Sequence, residues 1–488
     1  MPGEGERISV KTMEEKNELI EQMYKNMQKL VDAGISPFGQ GFPNVQHVED
    51  VVKEFSEGKE CRIAGRVMAS RVMGKSIFMD LRDWTGKVQL YGNKTALGEQ
   101  MFGVLKGLDI GDIIGVDGKL FKTHSGENTV QITSFTVLSK ILRPLPEKWH
   151  GLKDVEMRYR QRYVDLIMND TTRKIFKTRI EIIKYIREYL NNKMFLEVET
   201  PMMHPIAGGA AGKPFQTHHE TLDIDLFLRI APEIYLKKLL VGGFDKVYEI
   251  NRSFRNEGIS TRHNPEFTMI EVYEAYSDCK GMMDLTEGMV RYVAQKVLGT
   301  EKITYQGKEI DLSKWEKVSF ADLMKNSFGI SVDDPLPSWV DKLKKKGVNI
   351  EGEKVSKTQL LNIIGDLVEP TGGAHPVFVV DIFKELSPLA KEKKDAPGIT
   401  DRFELFMGGM EIANAYSELN DPIDQKERFL AQAKENPDAK VDYDFINALE
   451  YGMPPAGGLG IGIDRLTMIL TDSPSIRDVI LFPQMRPE

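Results

Sequence analysis

The chain has 488 residues, 41% hydrophobic and 28% charged, and its 65 Lys and Arg face 73 Asp and Glu for a net charge of −8. That mixture excludes a fibrous or disordered chain, and the length suggests about two to four domains. The acidic balance excludes a protein that coats nucleic acid by bulk charge alone. No run approaches roughly 18 consecutive apolar residues, so no membrane-spanning helix is expected. The charged N-terminus lacks the apolar core of a secretory signal. Cys61 and Cys279 are too few and too far apart for a disulfide framework or a cysteine zinc site, which points to the reducing cytoplasm.

Residues 11–33 read as a helix, because Leu19, Met23, Met27 and Leu30 recur at three- and four-residue steps. Alternating β-branched runs follow at 61–69, 76–82, 86–91, 112–121 and 129–139, with turn signals at Met73-Gly74 and Trp84-Thr85-Gly86. Charge is uneven along the chain. Residues 1–150 sum to zero, residues 151–488 carry the whole −8, and residues 61–94 hold seven basic residues against two acids. Short strands with basic residues and an exposed-looking Phe78 suit a small barrel of the OB type; a solvated β-domain with scattered lysines suits the same pattern.

Pro144 and Pro146 mark a domain boundary. Residues 171–192 form a periodic helix (Ile175, Ile182, Ile183, Ile186, Leu190) with Thr171 or Thr172 as its cap, and a strand at 195–199 stops before Pro201. Helical patterns return at 280–298, 314–327, 337–346 and 356–368, and no chemistry is evident in the polar, lysine-rich stretch 328–370.

Three segments carry candidate chemistry. The first, VYEINRSFRNEGISTRHNPEFTMIEVYEAY at 247–276, reads as a long hairpin around Gly258–Asn264. Period-2 geometry puts Arg255 and Glu257 on one face of its first strand, and Phe267, Met269, Glu271 and Tyr273 on one face of its second. A mixed solvent face is the alternative, although it does not require Phe267 and Met269. The second, FELFMGGMEIANAYSELND at 403–421, is a two-residue hairpin at Gly408-Gly409 that pairs Met407 with Met410 and Phe406 with Glu411. Glu404 and Glu411 then become same-face diagonal neighbours, a pair suited to a hard divalent cation carrying phosphates, or equally to edge-strand charges. Asn414, Tyr416 and Glu418 have the opposite parity to Glu411, so a single pocket requires a bulge near Ile412–Ala413. The third, GGLGIGIDRLTMIL at 457–470, allows close approach of a ligand or a backbone beside Arg465. It fits neither a dinucleotide-binding fingerprint nor a Walker A sequence. His204 and His218-His219-Glu220 have no common zinc spacing and read as structural or surface residues.

In this order, a helix and strand ending at Pro201, then FRNEGISTRHNPEF, then GGLGIGIDR, the segments resemble motifs 1, 2 and 3 of the class II aminoacyl-tRNA synthetases. RIAPEIYLKKLLVGGFDKVYEI and MEIANAYSELND make the likeness specific to the lysyl-tRNA synthetases, from about residue 11 to the C-terminus. The resemblance implies an α+β architecture: an N-terminal helix and OB-type anticodon-binding barrel over 1–142, a linker over 143–166, and a class II antiparallel-sheet catalytic domain over 167–488 with a helical insertion at about 280–370. It implies ATP-dependent activation of L-lysine to lysyl-adenylate and transfer to the 3′ end of tRNA(Lys), by a cytoplasmic homodimer that uses Mg²⁺.

By the same resemblance, Arg255 and Asn414 hold the lysine carboxylate, and Gly209 and Glu233 the α-amino group. Glu271, Tyr273 and Glu418 receive the ε-ammonium beside Tyr416. Phe267 and Arg465 clamp adenine, while Glu257, His263 and Asn264 add ATP contacts. Arg255, Glu257 and Arg465 are the implied catalytic groups, Glu404 and Glu411 the magnesium ligands, and Phe78 and Gln89 the readers of the anticodon. Ala413 and Ala415 replace glycines common in bacterial relatives. Two other readings are a non-catalytic RNA-binding scaffold and an enzyme that acylates a protein lysine. The first should have lost one of Arg255, Glu404, Glu411 or Arg465, and the second should lack the barrel.

Overall fold

A computed structural model describes residues 4–146, 154–210, 212–350, 355–368, 370, 373–435 and 440–487. Residues 147–153 of the expected linker lie outside them. Two compact units divide between Lys153 and Asp154.

The first unit carries α1 (Glu4–Asp32), α2 (Val48–Lys53), β1 (Glu60–Met73), β2 (Ser76–Arg82), β3 (Lys87–Asn93), α3 (Lys94–Lys106), β4 (Ile113–Lys122) and β5 (Asn128–Ser139). The five strands close into a barrel of order β1-β2-β3-β5-β4, in which β3 and β5 run parallel. Alternation explains the closure: Ile77, Met79, Leu81, Val88 and Leu90 point inward with Ile63, Ile114, Val116 and Ile132, while residues between them face out. All five expected strands are present within a few residues.

The second unit holds α4 (Val155–Arg160), α5 (Arg162–Met168), α6 (Asp170–Asn192), β6 (Leu196–Glu197), β7 (Met203–His204), β8 (Gln216–His219), β9 (Ile224–Leu228), α7 (Glu233–Val241), β10 (Lys246–Phe254) and β11 (Glu266–Ala275). There follow α8 (Cys279–Leu298), β12 (Lys302–Tyr305), β13 (Lys308–Asp311), β14 (Glu316–Ser319), α9 (Phe320–Phe328), α10 (Leu336–Lys345), α11 (Lys357–Leu367) and β15 (Val377–Val380). The last elements are β16 (Arg402–Met407), β17 (Met410–Ser417), α12 (Pro422–Glu435), α13 (Tyr443–Glu450), β18 (Ala456–Gly462), α14 (Ile463–Leu470) and α15 (Ile476–Val479). Eight strands form one sheet in the order β14-β15-β16-β17-β18-β11-β10-β6, antiparallel except at β14–β15 and β10–β6. Ile270, Val272, Phe403, Leu405, Ala413, Ala415, Leu459 and Ile461 pack beneath it with Ile182 and Ile186 of α6, Met282 and Met289 of α8, and Leu466 of α14. The intervening residues face the other way, and the candidate chemistry lies there.

Four local expectations are corrected. Residues 314–327 are not one helix: β14 precedes α9, whose start is fixed by the Ser319 side chain accepting from the Asp322 amide. Neither Thr171 nor Thr172 caps α6; Asn169 holds the cap position, and Thr172 instead donates its hydroxyl to buried Asp165. The strand expected at 195–199 is only β6, although Val198 still donates to the Tyr248 carbonyl. Arg255 and Glu257 do not share a strand face, because β10 ends at Phe254. The Arg255 amide reaches the Pro265 carbonyl, but Pro265 has no N–H to return the bond.

Candidate active site

The face of the sheet opposite the core is organised as two rows running across four strands. Glu271, Gly460, Asn414 and Glu404 are successive partners across β11, β18, β17 and β16; Tyr273, Gly458, Tyr416 and Arg402 form the adjacent row. One register shift makes this possible. Leu405 pairs with Ala413 and Phe406 with Glu411, so Ile412 is the extra residue, and both Ile412 and Ala413 are buried. Glu411 thereby shares a face with Asn414 and Tyr416, as the single-pocket reading required. Gly458 and Gly460 of β18 are the floor of the slot between the side chains of β11 and β17, a role the sequence left open between ligand and backbone approach. Gly458 is there for space: a Cβ on it would lie 1.8 Å from Glu418 Oε1 and 2.7 Å from the Tyr273 ring.

One end of the slot is a buried acidic cluster. Glu233, Glu271 and Glu418 are all buried, with Tyr273 donating to Glu271 Oε2 at 3.0 Å and Tyr416 to Glu233 Oε1 at 2.7 Å. Lys237 lies among them, its Nζ 2.5 Å from Glu233 Oε1 and 2.5 Å from Glu418 Oε2. Burial and the neighbouring Glu233 hold the Glu271 carboxyl well above the usual range. Burial pushes Glu418 up to about 8, against the pull of Lys237. Gly209 adopts φ +88° beside the first carbons of Glu233, a conformation that favours glycine. Beside Glu271, its cross-strand partner Glu249 on β10 is satisfied by Arg229 at 2.6 Å and Thr200 at 2.7 Å.

The other end is cationic. The Arg255 guanidinium stacks 5.1 Å from the centre of the Phe267 ring, and its buried Nε has no hydrogen-bond partner among the described residues. Burial lowers its pKa, and Glu257 and Glu411 oppose that. Arg465, in the first turn of α14, donates to the Glu411 carbonyl at 2.8 Å and lies 3.2 Å from His263 Nε2. Partial desolvation and the Arg465 charge hold the His263 imidazole below its usual pKa. Since arginine only donates, Nε2 accepts and Nδ1–H donates to Ser260 Oγ at 3.0 Å. Glu257 is exposed in the loop, and Asn264 is turned inward, donating to the Glu266 carbonyl at 2.6 Å.

Between the ends, Arg402 joins the two rows. Its Nε donates to Asn414 Oδ1 at 3.0 Å and its Nη2 to Glu404 at 2.7 Å, so the Asn414 amide presents N–H groups elsewhere. Burial pushes Glu404 up to about 7, with Arg402 opposing and Glu411 adding to the rise. No three acidic, histidine or cysteine ligands converge among the described residues. Two mutually repelling carboxylates fit a Mg²⁺ ion that also takes phosphate and water oxygens. Lys237 and Arg402 escaped the sequence reading; a lysine within a Lys-Lys pair and an arginine at a strand start carry no local signal of a buried role. His204 is buried against Tyr235 and donates its Nε2–H to the Pro201 carbonyl at 2.8 Å, and His218 pairs with Asp225 at 3.0 Å.

On the barrel, Phe78, Tyr91 and Phe121 form an aromatic surface, with ring centroids 5.1 and 5.7 Å apart along the series. Such a surface can stack bases. Gln89 is buried, held by Glu127 at 2.9 Å and Thr129 at 3.0 Å. The basic stretch 61–94 is partly neutralised: Arg62, Lys87 and Lys94 pair with Asp117, Asp80 and Glu99. Arg71 and Lys75 are exposed around the β1–β2 turn.

Residues 154–486 match the model of the class II tRNA synthetases (D, K and N), and residues 61–138 match the OB-fold nucleic acid binding domain. The lysine–tRNA ligase of Carboxydothermus hydrogenoformans is 55% identical, over 97% of this chain and 99% of that protein. Those of Moorella thermoacetica and Pelotomaculum thermopropionicum are 52% and 53% identical, over 98% and 97% of this chain and 99% and 96% of their own lengths.

Proposed function

The chain belongs to the class II tRNA synthetases, and within them to the lysine–tRNA ligases, and from that membership we propose how its own residues divide the work. It activates L-lysine with ATP to lysyl-adenylate and transfers the lysyl group to the 3′ end of tRNA(Lys). The charge count of the buried slot carries the assignment of residues. In formal charge, Glu233, Glu271 and Glu418 against Lys237 leave two negatives, which the two ammonium groups of lysine would draw out and balance. Aspartate or asparagine brings one, and leaves a buried carboxylate unpaired.

Gly209 and Glu233 take the α-amino group, Glu271, Tyr273 and Glu418 the ε-ammonium, and Tyr416 lines the slot. Arg255, whose buried Nε lacks a partner, and Asn414 hold the carboxylate. That carboxylate, with a pKa near about 3.5, is already an ionised nucleophile and needs no base. The barrier is charge at the α-phosphate and on departing pyrophosphate, which fixed cations lower by electrostatic stabilisation. Arg255 is assigned to the α-phosphate, Phe267 and Arg465 to adenine, and Glu257, His263 and Asn264 to further ATP contacts. Glu404 and Glu411 would hold Mg²⁺, which supplies charge neutralisation to the phosphates when bound.

Phe78 and Gln89 are assigned to the anticodon. Exposed Ile180, Met194, Leu196, Met202 and Met203 around α6, β6 and β7 support a homodimer through that surface. No helix among the described residues is long and apolar enough to cross a membrane, and the same reading puts the reaction in the cytoplasm. ATP–pyrophosphate exchange across amino acids tests the proposal. Exchange should depend on lysine, and Glu271→Gln or Glu418→Gln should raise the lysine KM while leaving the ATP KM in place. Exchange with aspartate or asparagine instead, or unchanged lysine kinetics in both variants, refutes it.

A further inference from the structure

The role of Lys237 extends the lysine-pocket reading and rests on it. Lys237 is fully buried on α7, one turn after Glu233, with its Nζ 5.6 Å from the Tyr416 ring centre and 5.8 Å from that of Phe445. Its two carboxylate contacts are each 2.5 Å, so Glu233 Oε1 and Glu418 Oε2 lie no more than twice that distance apart. Lys237 takes Oε1 of Glu233, which Tyr416 shares, and Oε2 of Glu418. Lys237 Nζ and both Glu418 oxygens lack a well-aligned hydrogen bond among the described residues, so Lys237 holds Oε2 by ion pairing, while Oε1 lies over Gly458. Glu418 Oε1 therefore stays available to an incoming ammonium group.

We propose that Lys237 is a positioning residue for substrate recognition, a fixed internal counter-ion that offsets the crowded carboxylates and holds Glu233 and Glu418 in place before lysine arrives. The groups facing it are Glu233 on its own helix and Glu418 and Tyr416 from the β17 segment, and Glu271 and Tyr273 from β11 act on those same carboxylates. Phe445 of α13 contributes its ring. Three carboxylates crowded in one buried site cannot all ionise without a cation, and a protonated carboxyl is a poor acceptor for an ammonium group. Despite burial, the two contacting carboxylates hold the Lys237 ammonium above its ordinary pKa, so it stays charged while the acids titrate. Removing that charge removes the group that pulls Glu418 down.

The sign follows. Without Lys237 the Glu418 carboxyl binds its proton to higher pH, lysine must displace that proton, and the penalty is largest at low pH. Lys237→Met keeps the length of the side chain and deletes the charge. Lysine-dependent exchange should be measured from about pH 6.5 to about pH 9.5, with the ATP KM and the Tm alongside. The lysine KM at pH 7 should rise at least about tenfold, the equivalent of one pKa unit, and fall back toward the wild-type value as pH rises. The ATP KM should stay within about twofold. A lysine KM unchanged, or raised equally at every pH, overturns the proposal, as does joint loss of lysine and ATP affinity. Should Lys237→Met fail to fold, Lys237→Gln carries the same expectation; failure of both assigns Lys237 to folding alone and also overturns it. A wild-type enzyme without lysine-dependent exchange refutes the pocket reading itself, which separates the two failures.

Discussion

Gly458→Ala is the smallest perturbation that reaches the lysine slot. The added Cβ would lie 1.8 Å from Glu418 Oε1, 2.7 Å from Tyr273 Cε1 and 3.0 Å from Glu418 Cδ. The carboxylate has little room to retreat, because Lys237 holds its other oxygen at 2.5 Å and the Glu418 amide is bonded to the Ala456 carbonyl at 2.8 Å. Tyr273 is buried and donates to Glu271. Overpacking of this kind costs about 1–3 kcal/mol, and it falls on the oxygen left for the substrate ammonium. At about 1.4 kcal/mol per tenfold, the lysine KM should rise roughly 5- to 150-fold. Pyrophosphate exchange at saturating ATP reads that change, and the ATP KM should hold, since Phe267, His263 and Arg465 lie outside this contact. Gly457→Ala is the contrast. Its Cβ would meet Met282 at 2.8 Å and the Asp278 carbonyl at 2.9 Å on the core side of the sheet, so it should lower Tm and leave the lysine KM in place. A Gly458→Ala enzyme with wild-type lysine KM refutes both the slot assignment and the argument from space.

Phe78→Ala should weaken tRNA charging by about 1–3 kcal/mol, the value of one base–aromatic stack, and spare pyrophosphate exchange; equal charging kinetics remove Phe78 from the anticodon surface. Ile180→Glu places a charge on the exposed apolar surface of α6. Light scattering should report a dimer mass for the wild-type chain and a shift toward monomer for the variant, and a wild-type monomer contradicts the dimer.

What the sequence revealed depended on whether a signal was local. The barrel strands were legible because inward Ile77, Met79 and Leu81 alternate with outward Phe78 and Asp80. The bulge at Ile412 was legible as a parity conflict, since Glu411 and Asn414 cannot share a face of a regular strand. The β14–α9 boundary carried a readable Ser-x-x-Asp start, which the helical periodicity of 314–327 obscured. Lys237 and Lys238 mark the limit of such reading. They are adjacent and chemically identical, yet one is buried between Glu233 and Glu418 while the other meets Asp444 at the surface. Helical geometry separates neighbouring residues onto different faces, but the identity of the buried face came from Glu418, some 180 positions away. Function from the site motifs was legible; the counter-ion that completes the site was not.

The three motifs are bound together by more than proximity to one substrate. Arg179 of α6 pairs with Asp464 of α14 at 2.6 Å and donates to the Thr268 hydroxyl of β11 at 3.1 Å. Asp464 accepts in turn from the Thr268 amide at 2.7 Å. Asp464 is 2% exposed, so loss of Arg179 would strand a buried charge, a change that typically costs about 3–5 kcal/mol. Thr268 and Asp464 are the immediate chain neighbours of Phe267 and Arg465, the pair assigned to adenine. A side chain of the helix assigned to dimerisation therefore helps fix the spacing of that pair. The acidity of the second unit takes on the same meaning. Asp464, Glu233 and Glu418 are buried carboxylates matched to internal cations, and the slot departs from that balance by the charge that lysine supplies.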